Sequence, residues 1–176
     1  MANPEPPRLE NQSVGNLTPF VIVSTSRGAA KNPTAVRAVG YDPKKTVKGT
    51  ATSAGSTSTL SDSAATWTND QPNGLLIRIR TAASGKPHEA RITDYDSATD
   101  TYTFTTLSEA VGNGDEYEVV GWPLMALATA TVSTNETTIN ATQALHAYVG
   151  PRRLAVEFTF SATEVRWVEW EYEVVD

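Results

Sequence analysis

The 176-residue chain contains no cysteine, which excludes disulfide frameworks, thiolate nucleophiles and cysteine-ligated metal sites. Its net charge is −6 and its 14 basic residues are scattered, so it lacks the basic face on which nucleic-acid binding depends. The N-terminal residues do not form a signal peptide, and no apolar run approaches the roughly 20 residues of a membrane helix. We therefore expect a soluble protein, made in the cytoplasm, that binds neither nucleic acid nor membranes.

The first 19 residues are rich in proline and poor in large apolar side chains. Such a segment cannot bury enough surface to fold alone, so the sequence predicts an extended arm over residues 1–19 that orders against a partner. The residues in or beside this arm that we expect to contact the partner are Pro4, Pro6, Pro7, Leu9, Leu17 and Phe20.

Several segments between the arm and residue 122 have strand patterns. Phe20–Val23 is rich in β-branched residues, and Ala35–Val39 predicts a short strand that ends at Gly40 and a turn at residues 42–43. Residues 75–80 alternate with the period of two that a half-buried strand requires. Residues 89–93 and 101–105 predict a hairpin, and residues 116–120 follow a cluster of turn residues.

The C-terminal quarter carries the clearest pattern. Residues 137–148 are compatible with a short helix or with a strand. Residues 154–160 and 168–174 then alternate apolar and polar side chains on either side of a turn near residues 162–164. Two such strands predict a long hairpin with one apolar face over a core and an acidic stripe, formed by Glu169, Glu171 and Glu173, on the other face.

The stretch from Gly49 to Trp122 carries a family resemblance. It contains Thr-Leu-Ser-Asp-Ser at residues 59–63, then Trp67, the strand ending at Ile79, Arg91-Ile92, Tyr102 and Gly-Asp-Glu-Tyr at 114–117. This stretch, about 40% of the chain, resembles a small β-barrel module that recurs in virion proteins of tailed bacteriophages. The resemblance implies that Leu60 and Trp67 plug a barrel and that Gly74, Gly85 and Gly114 permit tight turns. Pro87 departs from the glycine-rich loop of the module.

The whole sequence predicts an all-β protein with two small β-barrel or β-sandwich domains and an extended proline-rich arm. The arm spans residues 1–19, one β-domain combines residues 20–46 with 123–176, and residues 47–122 form an inserted barrel. A linear order of arm, barrel and C-terminal hairpin domain is the alternative. The inserted arrangement is preferred because the strands of residues 20–46 are too few to bury a core alone.

No residue pattern indicates catalysis, a cofactor or a metal. The two histidines, His88 and His146, do not have metal-ligand spacing and do not lie beside a nucleophile-elbow serine. The acidic run at residues 94–100 lacks the glycine and the bidentate glutamate of a calcium loop, because Thr99 and Thr105 stand at those positions. We expect a polar turn there, and a weak calcium site is the alternative.

The predicted function is structural. The resemblance implies a capsid decoration or cement protein, trimeric and located on the virion surface, that binds the shell of the major capsid protein. A head–tail connector or tail component is a second hypothesis. Trp167 lies on the acidic face of the C-terminal hairpin and is expected to be exposed, first as an interface residue and second as a contact in a carbohydrate or receptor-binding module.

Overall fold

The computed structural model describes residues 12–23, 25–26, 29–30, 32–81 and 83–176. These residues form strands and a single short 3-10 helix, Gln143–His146, which confirms the all-β prediction. The strands are β1 (Gln12–Ser13), β2 (Phe20–Val23), β3 (Thr25–Ser26), β4 (Ala29–Ala30), β5 (Ala35–Thr50), β6 (Thr59–Ser61), β7 (Leu76–Arg80), β8 (Pro87–Asp96), β9 (Thr101–Phe104), β10 (Glu116–Thr129), β11 (Thr131–Ser133), β12 (Glu136–Ile139), β13 (Gly150–Ser161) and β14 (Glu164–Val175). In the part of the chain described, no helix is long and apolar enough to cross a membrane.

The chain divides into two compact units. The terminal unit combines the residues up to Asp42 with those from Leu127 to Asp176, and the central unit runs from Pro43 to Ala126. The insertion predicted from the sequence spans residues 47–122, four residues shorter at each end than the central unit.

The terminal unit is built on the C-terminal hairpin. Strands β13 and β14 pair antiparallel from Gly150 and Val174 to Ser161 and Glu164, as the alternating pattern predicts. The other edge of β13 pairs antiparallel with β5, and β1 pairs parallel with β14. A separate three-stranded sheet has the order β11-β12-β2. The buried side chains of this unit include Phe20, Ile22, Val36, Val39, Tyr41, Ile139, Leu145, Leu154, Val156, Phe158, Trp170, Tyr172 and Val174.

Strand β5 continues well past its predicted end at Gly40. Gly40 lies opposite Leu154 of β13, and Tyr41, at 1% exposure, is buried beside it. Pro43 follows the last residue of β5 that pairs with β13, so its missing N–H breaks no hydrogen bond of that ladder. Pairing with β13 therefore keeps Gly40 and Tyr41 extended, past the strand end that the local pattern predicts.

The central unit contains the strand order β10-β7-β8-β9-β6. The predicted hairpin is present, with β8 and β9 paired from Ile92 and Phe104 to Asp96 and Thr101. Leu60 and Trp67 are buried, at 0% and 6% exposure, and Trp67 lies 4.9 Å from the ring of Trp122. Tyr95, Tyr102 and Tyr117 complete an aromatic core in which successive ring centroids lie 4.8 and 5.3 Å apart.

The ambiguous segment at residues 137–148 contains both kinds of structure. Its first residues belong to β12, and the 3-10 helix follows at Gln143–His146. Leu145 and His146 are the buried residues of that helix, so the segment contributes to the core of the terminal unit.

Candidate functional site

The second half of the predicted arm packs against the terminal unit. Gln12 and Ser13 pair with Val174 and Val175 of β14. The amide of Val14 donates to the carbonyl of Val175 at 2.9 Å, and the amide of Gly15 donates to the carbonyl of His146 at 2.8 Å. Residues 12–16, which the sequence assigned to the arm, are therefore bonded to the terminal unit. The predicted contacts Pro4, Pro6, Pro7 and Leu9 lie outside the described residues.

His146 holds this segment in place. Its Nδ1–H donates to the carbonyl of Asn16, so Nε2 accepts the hydroxyl of Tyr172 at 3.0 Å. Burial raises the pKa of Tyr172, which keeps its hydroxyl a neutral donor. The ring of Phe20 lies 5.8 Å from His146 and 5.2 Å from Tyr172. His146 thus has both ring nitrogens satisfied inside an aromatic core.

Phe20 does not have the position expected of a partner contact. Its side chain is 5% exposed, because strand β2 turns it inward onto His146 and Tyr172. Leu17, by contrast, is 54% exposed, as an interface residue requires. The sequence gives Leu17, within the predicted arm, and Phe20, directly after it, the same expected role. The structure distinguishes them, because Phe20 packs on His146 of the 3-10 helix.

Five exposed apolar side chains lie on segments of the terminal unit that backbone bonds and His146 tie together, and we call this set the apolar end. Val149 comes directly before Gly150, which pairs with Val174, and the Val14 amide is bonded to the carbonyl of the next residue, Val175. Leu17 follows Asn16, which is bonded to His146, and Tyr148 lies two residues beyond His146. The members of the apolar end and their exposures are Val14 (43%), Leu17 (54%), Tyr148 (78%), Val149 (53%) and Val175 (37%).

Arg152 fixes the backbone of the apolar end. Its guanidinium is buried and donates to the carbonyl of Leu145 at 2.8 Å and to that of Tyr148 at 2.6 Å. These charge-assisted bonds hold the loop that presents Tyr148 and Val149. An exposed apolar patch on a fixed backbone is a typical protein-docking surface, because little conformational entropy is lost on binding.

A second apolar surface, which we call the aromatic groove, lies on the inner face of the C-terminal hairpin. It has a volume of about 180 Å³. The Phe158 ring lies 6.3 Å from both Phe160 and Trp170, and the guanidinium of Arg166 lies 5.8 Å from the Phe160 ring. The groove is lined by Ile22, Val23, Phe158, Phe160, Arg166, Val168 and Trp170.

The acidic stripe lies on the opposite face of β14 and is partly neutralised. Arg153 of β13 forms an ion pair with Glu171 and lies 3.9 Å from Glu169. Trp167 is half-buried on this face, across from Glu157. Its expected exposure is therefore only partial, and its role at an interface stays a prediction.

The central unit contains a larger open groove, of about 630 Å³, but its charges are mixed. Arg78 and Arg80 on β7 face Glu118 and Glu116 across the ladder, and Arg78 also pairs with Glu89 at 2.6 Å. Acidic and basic side chains alternate along this surface, so it does not favour a ligand of either charge.

A serine, histidine and glutamate cluster in the central unit invites comparison with a catalytic triad. His88 Nε2–H donates to Glu109 Oε2 at 3.0 Å, and Ser108 Oγ lies 3.4 Å from Nδ1. That Ser–His distance is longer than an ordinary O–H···N bond, and Ser108 is exposed. The same carboxylate also accepts the hydroxyls of Thr81 and Ser84. Glu109 therefore accepts three hydrogen bonds and fastens the loop between β7 and β8.

Replacing Glu109 by glutamine is expected to lower the melting temperature at neutral pH. Hydrogen bonds from Thr81, then Ser84, then His88 hold the pKa of Glu109 below its usual 4.5. A carboxyl with a lowered folded pKa adds stability above its unfolded pKa and loses it as pH falls through the folded pKa. Thermal unfolding should therefore separate Glu109→Gln from the parent at pH 7 and not at pH 2. The exposed Glu136→Gln is the control, and an equal loss at both pH values would contradict the prediction.

The acidic run at residues 94–100 forms a turn. Asp96 accepts the backbone amide of Ala98 at 2.8 Å, and Asp100 accepts the hydroxyl of Tyr95 at 3.2 Å. A neighbouring carboxyl, Asp70, raises the pKa of Asp94 by sharing a hydrogen bond with it. Within the described residues, no group of three or more histidine, aspartate or glutamate side chains is placed to hold a metal ion.

Comparisons with known proteins give no relative. No protein-family model, no curated protein and no solved structure matches the chain.

Proposed function

We propose that this protein is a structural component of a tailed-phage virion, a capsid decoration or cement protein that binds and stabilises the shell of the major capsid protein. The observation that carries the proposal is the apolar end: five exposed apolar side chains on a backbone fixed by Arg152 and by the ladder between β1 and β14. Such a patch is costly to leave in water, and a shell protein that covers it would gain affinity.

The architecture is compatible with a structural protein that binds to a surface. Both units are built from strands, and the two strands of the long hairpin, β13 and β14, are twelve residues each. The resemblance of residues 49–122 to a virion barrel module adds the phage context. Residues 1–11 remain the predicted second contact with the shell, and a trimer with its apolar ends directed at the capsid is the assembly that we propose.

Replacing Leu17 and Tyr148 together by serine is expected to weaken binding to capsid shells at least tenfold. Both side chains are more than half exposed, so the loss reports on the interface and not on folding. Cosedimentation of the purified chain with shells of its cognate major capsid protein measures the affinity. The matched control is Val165→Ser, a 48% exposed valine outside the apolar end, and it should bind like the parent. Equal binding by the double variant would exclude the apolar end as the docking surface.

A further inference from the structure

The open groove of the central unit, which we call the charged groove, has the size of a ligand-binding site. Its volume of about 630 Å³ lies within the roughly 300–1,000 Å³ of pockets that hold small molecules. Strands β5, β10 and β7, which are neighbours in the sheet, supply most of its lining. The polar side chains that line it are Lys48, Thr50, Arg78, Arg80, Glu116 and Glu118.

The floor of the charged groove is the backbone of paired strands. Ile79 of β7 lies opposite Tyr117 of β10, and both side chains are buried, at 0% and 4% exposure. Successive side chains of a strand point to opposite faces, so Arg78 and Arg80 project on the face away from Ile79. Gly49 adds no side chain to the lining. The groove is therefore a strip of sheet bordered by long charged side chains.

The charges around this strip balance. Arg80 lies across the ladder from Glu116, and Arg78 lies across from Glu118. On its other side Arg78 pairs with Glu89 at 2.6 Å, and Lys48 supplies a third cation for the third carboxylate. A ligand with a net charge meets repulsion here as well as attraction. A neutral ligand that both donates and accepts hydrogen bonds fits the lining better.

The lining has hydrogen-bonding capacity that the protein does not use. Among the residues described by the structure, the side chains of Lys48, Arg80, Glu116 and Glu118 form no hydrogen bond and no ion pair with one another or with a further group. An ammonium and a guanidinium supply N–H donors, and the two carboxylates supply acceptors. Donors and acceptors are thus interleaved along one groove and available to a ligand.

The usual ways of binding a peptide do not suit this groove. Its floor strands are interior in the order β5-β10-β7-β8, so they offer no edge to which an extended peptide could add as a strand. The aromatic residue in the lining is Tyr117, whose side chain is buried and cannot grip a proline-rich segment. The carboxylates of Glu116 and Glu118 repel the phosphates of a nucleic acid.

A carbohydrate meets these conditions. Each of its hydroxyls both donates and accepts, so neighbouring hydroxyls can bond a carboxylate and a cationic group side by side. Its apolar C–H faces can pack on the aliphatic stems of Lys48, Arg78 and Arg80. It needs no strand edge and carries no charge.

We propose that the charged groove binds a neutral oligosaccharide, with its hydroxyls bonded to the carboxylates of Glu116 and Glu118 and to the cationic groups of Lys48 and Arg80. This site goes beyond the proposed function. It also lies in the central unit, whereas the carbohydrate contact considered from the sequence, Trp167, lies on β14.

An array of immobilised oligosaccharides, probed with the full-length chain, tests the class of ligand. We expect the chain to be retained by one or more neutral oligosaccharides. Its affinity for them in solution should not change with salt concentration, because the ligand has no charge to be screened. Retention by no neutral oligosaccharide, or by acidic ones alone, would overturn the proposal.

A pair of substitutions tests the place of binding. Arg80→Thr combined with Glu116→Thr removes one donor and one acceptor from the groove, keeps the net charge and leaves a cross-strand threonine pair that suits a sheet. Calorimetric titration with the retained oligosaccharide should show affinity weakened about tenfold or more, with the melting temperature confirming that the variant is folded. The matched control is Arg153→Thr combined with Glu171→Thr, a cross-strand pair of β13 and β14, and it should bind like the parent.

Amide signals locate the ligand independently of any substitution. On titration of the parent with the same oligosaccharide, the amide signals of residues 48–50, 78–80 and 116–118 should shift most. Largest shifts around Trp167, or equal affinity of the groove variant and the parent, would overturn the proposal. Capsid shells are not used in these experiments, so failure here leaves the proposed function to its own test.

Discussion

Replacement of Asp62 by alanine is expected to lower the free energy of unfolding by about 3 kcal/mol, because the buried hydroxyl of Tyr117 and the amide of Ala64 lose their acceptor. Asp62 is 3% exposed, and its carboxyl accepts the hydroxyl of Tyr117 at 2.7 Å and the backbone amide of Ala64 at 2.9 Å. The hydroxyl oxygen of Tyr117 also lies 3.1 Å from the hydroxyl oxygen of Tyr102. Burial raises the pKa of Tyr102 to about 12 and that of Tyr117 further, so both hydroxyls remain neutral at physiological pH.

Denaturant unfolding of Asp62→Ala measures this loss. The matched control is Asp96→Ala, since Asp96 also accepts a backbone amide two residues on, that of Ala98, but is more exposed. We expect Asp96→Ala to lower the free energy of unfolding by less than about 1 kcal/mol, because water can replace the carboxyl as acceptor there. Equal losses in the two variants would show that the Tyr117–Asp62 network does not stabilise the central unit.

Gly49 lies against this network, where there is no room for a side chain. A Cβ at position 49 would come within 2.4 Å of the Tyr117 hydroxyl oxygen and 2.5 Å of an Asp62 carboxyl oxygen. The glycine is therefore required by the close approach of two buried polar groups, a long-range contact that no local sequence pattern reveals.

Replacement of His146 by alanine is the second large effect that we expect, about 3–4 kcal/mol of lost stability in the terminal unit. The change removes the bonds to Asn16 and Tyr172 and leaves a cavity beside Phe20. Residues 12–16 should loosen first, because the bonds that remain include the short, two-residue β1 ladder and the single bonds of the Val14 and Gly15 amides.

Hydrogen exchange distinguishes this local loosening from general unfolding. In His146→Ala the amides of Val14 and Gly15 should exchange faster, by more than the amides of the β13–β14 ladder. Tyr148→Ala, two residues away and 78% exposed, should change neither stability nor exchange. Unchanged protection of Val14 in His146→Ala would mean that the histidine does not hold the N-terminal segment.

Much of the fold follows from local patterns in the sequence. The alternation in residues 154–160 and 168–174 predicts the hairpin, and the turn residues around 94–100 predict the pairing of β8 with β9. Strand β5 is different, because what holds Gly40 and Tyr41 extended is their pairing with β13, more than a hundred residues later. Local turn preference cannot contain that information.

The candidate site was less accessible to sequence reasoning. Leu17 belongs to the apolar end, but Val14, Val149 and Val175 come together only through the registers of β1, β13 and β14. The buried position of Phe20 likewise depends on His146, a residue that no local pattern connects to it.

Saturation binding to capsid shells tests the central claim most directly. Purified chain is titrated onto shells of the cognate major capsid protein, and the bound copies per particle are counted together with the melting temperature of the shell. We expect the bound copies to rise in proportion to the number of capsid subunits and the shell to melt at a higher temperature. Binding at a small fixed number per particle, as a connector ring would give, or no binding at all, would contradict it.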